Sequence, residues 1–165
     1  MQQPDPDEGN PSIQQPPPPP SPTPKPQPES MVQQLNDIIQ HAGLLGNVSP
    51  PTYGALYSTS DKSVAVGDYI GQGNLTNGMT VQEIKLECFD AQKALWTSGV
   101  ASKLSDVLMG ISMDVIDQYG KQSKQVVATC DLSKDTAQKF VWDNLTDDMA
   151  WGDYDNTYID SFLTQ

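Results

Sequence analysis

The sequence predicts a mainly α fold: a small bundle of about four helices, with a disordered proline-rich N-terminal arm and a long extended middle loop. Three observations carry that expectation. Apolar residues recur at helical spacing over 80–125. Twelve of the fourteen prolines fall within residues 1–30. Residues 47–79 are rich in Gly, Ser, Thr, Asn and Tyr and lack helical periodicity. The expected division is an arm over 1–30 and a helical domain over 31–165. That domain would carry the extended loop 47–79 and an acidic-aromatic tail over 147–165.

The arm comes first. Proline fixes φ and lacks an N–H, so neither a helix nor a central strand forms there. Polyproline II character is expected over Pro16–Pro20. Pro17 to Pro20 and Pro19 to Pro22 satisfy PxxP, but Lys25 is the only cation near the run. A spacer is the plainer reading, and an SH3-type ligand is poorly supported.

Residues 30–46 predict a short helix. Ser30 is placed to cap it and Gly46 falls just past its end. Met31, Leu35, Ile38, Ile39 and Leu45 form its apolar stripe. His41 sits near the C-terminus, where a cation is favoured, and reads as solvated rather than catalytic. Pro50 and Pro51 stop the helix. Within 47–79, Ser63–Ile70 has the partial alternation of one short strand or extended arm, with no obvious partner. A connection this long is unusual inside a compact domain and reads as a binding arm.

Residues 80–125 predict the longest helical segment. Thr80 and Glu83 have the spacing of a capping box. One stripe runs through Ile84, Cys88, Ala91 and Leu95. A second runs through Phe89, Trp96, Val100, Leu104, Val107, Ile111 and Val115. Such a helix is either buried on two sides or broken, and Thr97-Ser98-Gly99 is the natural break. Gly110 is a second soft spot, and Gly120 is placed as a C-cap. A last helix is expected over 131–150, capped by Asp131 or Ser133, with Ala137, Phe140, Val141, Leu145 and Met149 on its apolar side.

Composition excludes several function classes. The net charge is −12, from 21 acidic residues against 9 lysines, with no arginine. Phosphate contacts come largely from Lys and Arg, so no nucleic-acid partner is expected, nor a polybasic membrane anchor. No run of apolar residues is long enough for a membrane span, and the first residues do not resemble a cleavable signal peptide. The expected location is particle-associated or cytoplasmic, with export by a route that leaves no cleaved signal also open.

Chemical motifs fail at named positions. Gly71-Gln72-Gly73-Asn74-Leu75-Thr76 lacks the third glycine of a dinucleotide cradle. Gly110-Ile111-Ser112-Met113-Asp114 lacks the second glycine of a nucleophile elbow. Asp153, Asp155, Asn156 and Asp160 lack the glycine and glutamate of an EF-hand. One His and two Cys leave little for a metal site. No enzyme activity, no cofactor and no metal are expected. In one straight helix Cys88 would lie roughly 48 Å from Gly120. The next ten residues span at most about 36 Å, so a bridge to Cys130 needs the chain to fold back near Gly99. Two reduced, buried thiols are the reading preferred. Asn74-Leu75-Thr76 and Asn144-Leu145-Thr146 match glycosylation sequons and read as chance unless the chain is exported.

The function expected is a non-enzymatic structural or assembly subunit of a larger particle, of the kind found as minor proteins of virions. It would grip neighbouring subunits through its extended segments. The candidate partner-binding residues are Tyr53, Tyr57 and Tyr69 of the middle segment, and Trp151, Tyr154, Tyr158 and Phe162 of the acidic tail. Rings between carboxylates suit partners with basic or apolar grooves. A homo-oligomer is compatible with the same features. Two other classes remain: an exported effector or filament component using residues 1–30 as an uncleaved signal, and an intracellular adaptor docking through its acidic-aromatic C-terminus.

Overall fold

Residues 30–42, 54–71, 76–117 and 119–165 are described by the computed structural model. The expectations for residues 1–29, Tyr53, Gly46, Pro50-Pro51 and the 72–75 part of the glycine-rich turn lie outside the described residues.

Ser30 caps the first helix, α1 (Met31–His41), its side chain accepting from the Gln33 N–H at 3.2 Å. Leu35 and Ile39, one turn apart, are its buried contacts with the core. Asn36 Oδ1 accepts from the Ala55 N–H at 2.8 Å and ties this helix to the next element.

The chain then departs from the expected unpaired loop. Residues 54–71 form a hairpin, β1 (Gly54–Tyr57) and β2 (Ser63–Tyr69). The tight turn between them is held by Asp61, whose Oδ1 accepts from the Ser63 N–H at 3.0 Å and the Ser63 hydroxyl at 2.7 Å. Helix α2 (Asn77–Trp96) follows. It starts one turn before the predicted capping box. Thr76 is the N-cap, accepting from the Met79 N–H at 3.2 Å, while Thr80 is buried and donates to the Thr76 carbonyl.

The helix ends at Trp96, where Thr97-Ser98-Gly99 interrupts it. A short 3-10 turn over Ala101–Lys103 then feeds two long strands, β3 (Asp106–Ile116) and β4 (Gln122–Ser133). Between them Asp117 accepts from the N–H groups of Tyr119 and Lys121, and Gly120 takes a φ of +79° that favours glycine. Ser133 caps the four-residue α3 (Lys134–Ala137). A 3-10 turn at Trp142–Asn144, helix α4 (Asp147–Asp153), strand β5 (Asn156–Ile159) and a 3-10 turn at Ser161–Leu163 complete the chain.

The fold is therefore α/β, and the mainly helical expectation is corrected. A five-stranded mixed sheet in the order β1-β2-β3-β4-β5 is its centre, with β2 and β3 parallel and every other pair antiparallel. The parallel pair needs a crossover, and α2 supplies it. Three expectations fall together. The long helix over 80–125 stops at Trp96, the helix over 131–150 is two short helices joined by a 3-10 turn, and the middle loop over 47–79 contributes two strands.

The reason is an ambiguity of period. Leu104, Val107, Ile111 and Val115 fit helical spacing, but Val107, Met109, Ile111 and Met113 also alternate, and alternation is what the burial follows. The lone strand expected near Ser63 has partners on both sides: Val64 aligns with Tyr57 of β1 and Val107 of β3.

Helix α2 lies against the sheet, with α1 and α4 packed on it. Of the two alternatives that the stripes left open, the helix is broken: beyond Trp96 the second stripe runs into the 3-10 turn and β3. Ile84, Cys88, Ala91 and Leu95 meet a sheet face made by Val64, Val66, Val107, Met109, Ile111, Ala128, Cys130 and Leu132. Gln92 is fully buried and satisfied: its Nε2 donates to the Val107 carbonyl at 2.9 Å, and its Oε1 accepts from Trp96 Nε1 at 3.0 Å. Cys88 and Cys130 are bonded, with Cα atoms 6.3 Å apart, which corrects the expectation of two free thiols. The fold-back at Gly99 is what brings α2 over β4.

Candidate functional site: the uncovered face of the sheet

Strand residues alternate between two faces. The odd residues of β3 face α2, and the even ones point away, from Asp106 through Leu108, Gly110, Ser112 and Asp114 to Ile116. Register extends this second face across the sheet. Leu56, Ala65, Leu108, Asp131 and Asn156 form one row. Gly54, Gly67, Gly110, Thr129 and Tyr158 form the next. A bulge between Ile111 and Ser112 turns Val127 into the core and leaves Val126 outward beside Ser112.

Among the described residues nothing covers this face. Leu56 is 73 % exposed, Val126 56 %, Tyr158 49 % and Leu108 40 %. Isolated exposed leucines need no explanation; several on one flat face next to three aligned glycines do.

The two ends of the face differ electrically. At one end Tyr69 donates its hydroxyl to Asp114 Oδ2, and Lys124 Nζ lies 3.9 Å from the Tyr69 ring centroid. Those charges are mutually engaged. The Asp114 hydrogen bond is the main reason that the Tyr69 phenol is pushed up from its ordinary value. At the other end carboxylates crowd. Burial, then the adjoining Asp131 carboxyl, raises Asp106 to about 6, with Asp155 and Asp61 adding to the effect. Asp131 Oδ1 is buried without a hydrogen-bond partner. Asp155 is held by the Ser133 N–H and the Thr136 hydroxyl, both at 2.6 Å. Its partial desolvation is outweighed by those bonds, so its pKa is lowered.

A second acidic group lies on the helix side of the sheet. Asp68 on β2 is buried and accepts from the Tyr69 N–H at 2.6 Å; desolvation raises it. Glu87 on α2 has a buried Oε2 without a partner and is pushed up to about 8, chiefly by burial and then by Asp68, Glu83 and Asp90. Among the described residues no three His, Cys, Asp or Glu side chains converge as a metal site would require.

The residues expected to bind partners divide between the two sides. Tyr69 and Tyr158 stand on the open face. Tyr57 is half-buried on the helix side, its hydroxyl 3.5 Å from the Lys103 carbonyl. Tyr154 is buried, stacked on Phe140 and edge-on to Trp151, and Trp151 and Phe162 are half-buried against the core. The acidic-aromatic segment is folded into α4, β5 and the last 3-10 turn. Leu56, Ala65, Gly67, Leu108, Gly110 and Val126 are not among the partner-binding residues that the sequence suggests. Alternation within 63–69 and 106–116 is the signal that points to most of them.

Comparison with family models, with curated proteins and with solved structures finds no match to the chain. No helix among the described residues is long and apolar enough to cross a membrane.

Proposed function

We propose that the chain is a non-enzymatic assembly subunit of a larger particle, and that the open face of its sheet is where a neighbour binds. The observation that carries this reading is the row Leu56–Ala65–Leu108 with Val126 and Tyr158 near it, exposed on a face that the described helices leave bare. Water contact with such a face is unfavourable by roughly 25 cal/mol per Å² of apolar surface, which burial under a partner recovers. Within the middle segment that was expected to wrap a neighbour, Gly54–Tyr57 and Ser63–Tyr69 are instead two strands of the sheet that meets it. The test is photo-crosslinking in the native source, with a benzophenone side chain at position 108 or 126 and a control at exposed Leu86 on α2. A single adduct of fixed mass from 108 and 126 is expected. Adducts from 86 alone would refute the reading.

One observation favours a second reading, an exported effector or filament component. The bridge between Cys88 and Cys130 is of a kind that persists in oxidising compartments and is rare in the cytosol. Thiol alkylation of native protein, without reduction, separates the two: an exported chain takes up no label even when unfolded.

A further inference from the structure

We propose that the open face is a seat for one amphipathic helix of a partner protein, laid along β2, with lysine or arginine at the end that meets Asp61, Asp106 and Asp131. The inference rests on the open face being a docking surface and names what docks there.

The floor of the seat is β2. Its outward residues Ala65 and Gly67 are small and exposed. Its walls are Leu56 on β1 and Leu108 on β3, which flank Ala65 in register. Two strand spacings, about 9.6 Å, separate the backbones that carry those side chains, with only the small Ala65 between them. The next row is glycine on all three strands: Gly54, Gly67 and Gly110. A Cβ at Gly54 or Gly67 would meet nothing within 4 Å, and at Gly110 only Val126 Cγ1 at 3.9 Å. The floor therefore stays low where a helix would sit. Strands that flank a crossover are usually sandwiched between two helical layers, and α2 provides one of them.

Charge selects the occupant. The chain carries −12, and the end of the seat next to Ser63 holds Asp61, Asp106, Asp131 and Asp155 against Lys62 and Lys134, whose Nζ donates to the Ser102 carbonyl at 3.2 Å. The opposite end has its charges already engaged, in the Tyr69–Asp114–Lys124 set. A cation arriving at the acidic end relieves repulsion there, and a second copy of this acidic chain would add to it.

The test uses the full-length oxidised chain and two synthetic helical peptides with the same leucine stripe, one flanked by lysines and one by glutamates. Fluorescence anisotropy is expected to show the lysine peptide binding at least about tenfold more tightly. Asp106→Asn with Asp131→Asn should remove most of that preference. Ala65→Gln with Gly67→Gln, neutral changes at exposed strand positions, should abolish binding while circular dichroism stays unchanged. If both peptides bind alike and the glutamine pair abolishes both, the seat stands and the basic occupant is overturned. If the lysine peptide binds the glutamine pair undiminished, it binds elsewhere, and the docking surface falls with the inference. If neither peptide binds, or the wild-type chain dimerises and the glutamine pair is monomeric, the helical occupant is refuted.

Discussion

Glu87 shows how much one side chain depends on its surroundings. On α2 it is one of several acids, but in the fold it shares its site with Asp68 and Glu83 and has a buried, unpartnered oxygen. Its raised pKa fixes a sign. Between the ordinary carboxylate range and about 8 the folded state holds a proton that the unfolded chain releases. Stability is therefore full at low pH and is lost as pH rises through that window. Asp106, raised to about 6, acts in the same direction. Thermal unfolding should give a higher midpoint at pH 5 than at pH 8. Glu87→Gln should flatten most of the slope, by on the order of 1–2 kcal/mol after allowance for its partial exposure. A midpoint that rises with pH across this range would contradict the assignment. Cys88→Ala makes a second prediction. Losing the staple between α2 and β4 should cost about 2–4 kcal/mol, and added reductant should then have no further effect on the variant.

Strand β3 carries the chief lesson about elements. Ile111 and Leu108 are both apolar residues of a strand, yet Ile111 is fully buried under α2 and Leu108 faces out. Ile111→Asp should unfold the protein, at a cost of about 3 kcal/mol or more for an unpaired buried charge. Leu108→Gln, which adds no charge beside its register partner Asp131, should leave the midpoint almost unchanged. A helix over these residues would not predict this contrast, so the paired measurement checks the strand assignment directly. Period alone could not decide it, because residues spaced three to four apart and residues two apart share members. Pairing with β2 on one side and β4 on the other satisfies the backbone of β3 in a way that its own sequence does not announce.

The molecule as a whole is closed by its C-terminal segment. Residues 147–165 supply α4, an edge strand and the buried Ala150, Tyr154 and Leu163. Lys85 and Asp148, 2.7 Å apart, join α2 to α4, although an exposed pair of this kind contributes little. Truncation after residue 146 should therefore destabilise the fold strongly, read as loss of a cooperative thermal transition. Tryptophan emission provides a gentler check. Trp142 is 9 % exposed and Trp96 and Trp151 are half-buried, so emission should be blue-shifted and iodide quenching weak in the isolated chain. Red-shifted, readily quenched emission would mean that the segment is not packed.

The short-range features are legible in neighbouring residues. Ser30 and Ser133 act as caps, and Thr97-Ser98-Gly99 ends α2. Each follows from side chains within a few residues of one another. Long-range contacts made Asp106–Ile116 and Gln122–Ser133 a pair of strands, put Ser63–Tyr69 in the interior of a sheet and brought Cys88 to Cys130 across 42 positions. They also decided which face of that sheet is bare. Strand pairing and its register are contacts between distant residues, and their free energy is absent from any local window of the chain.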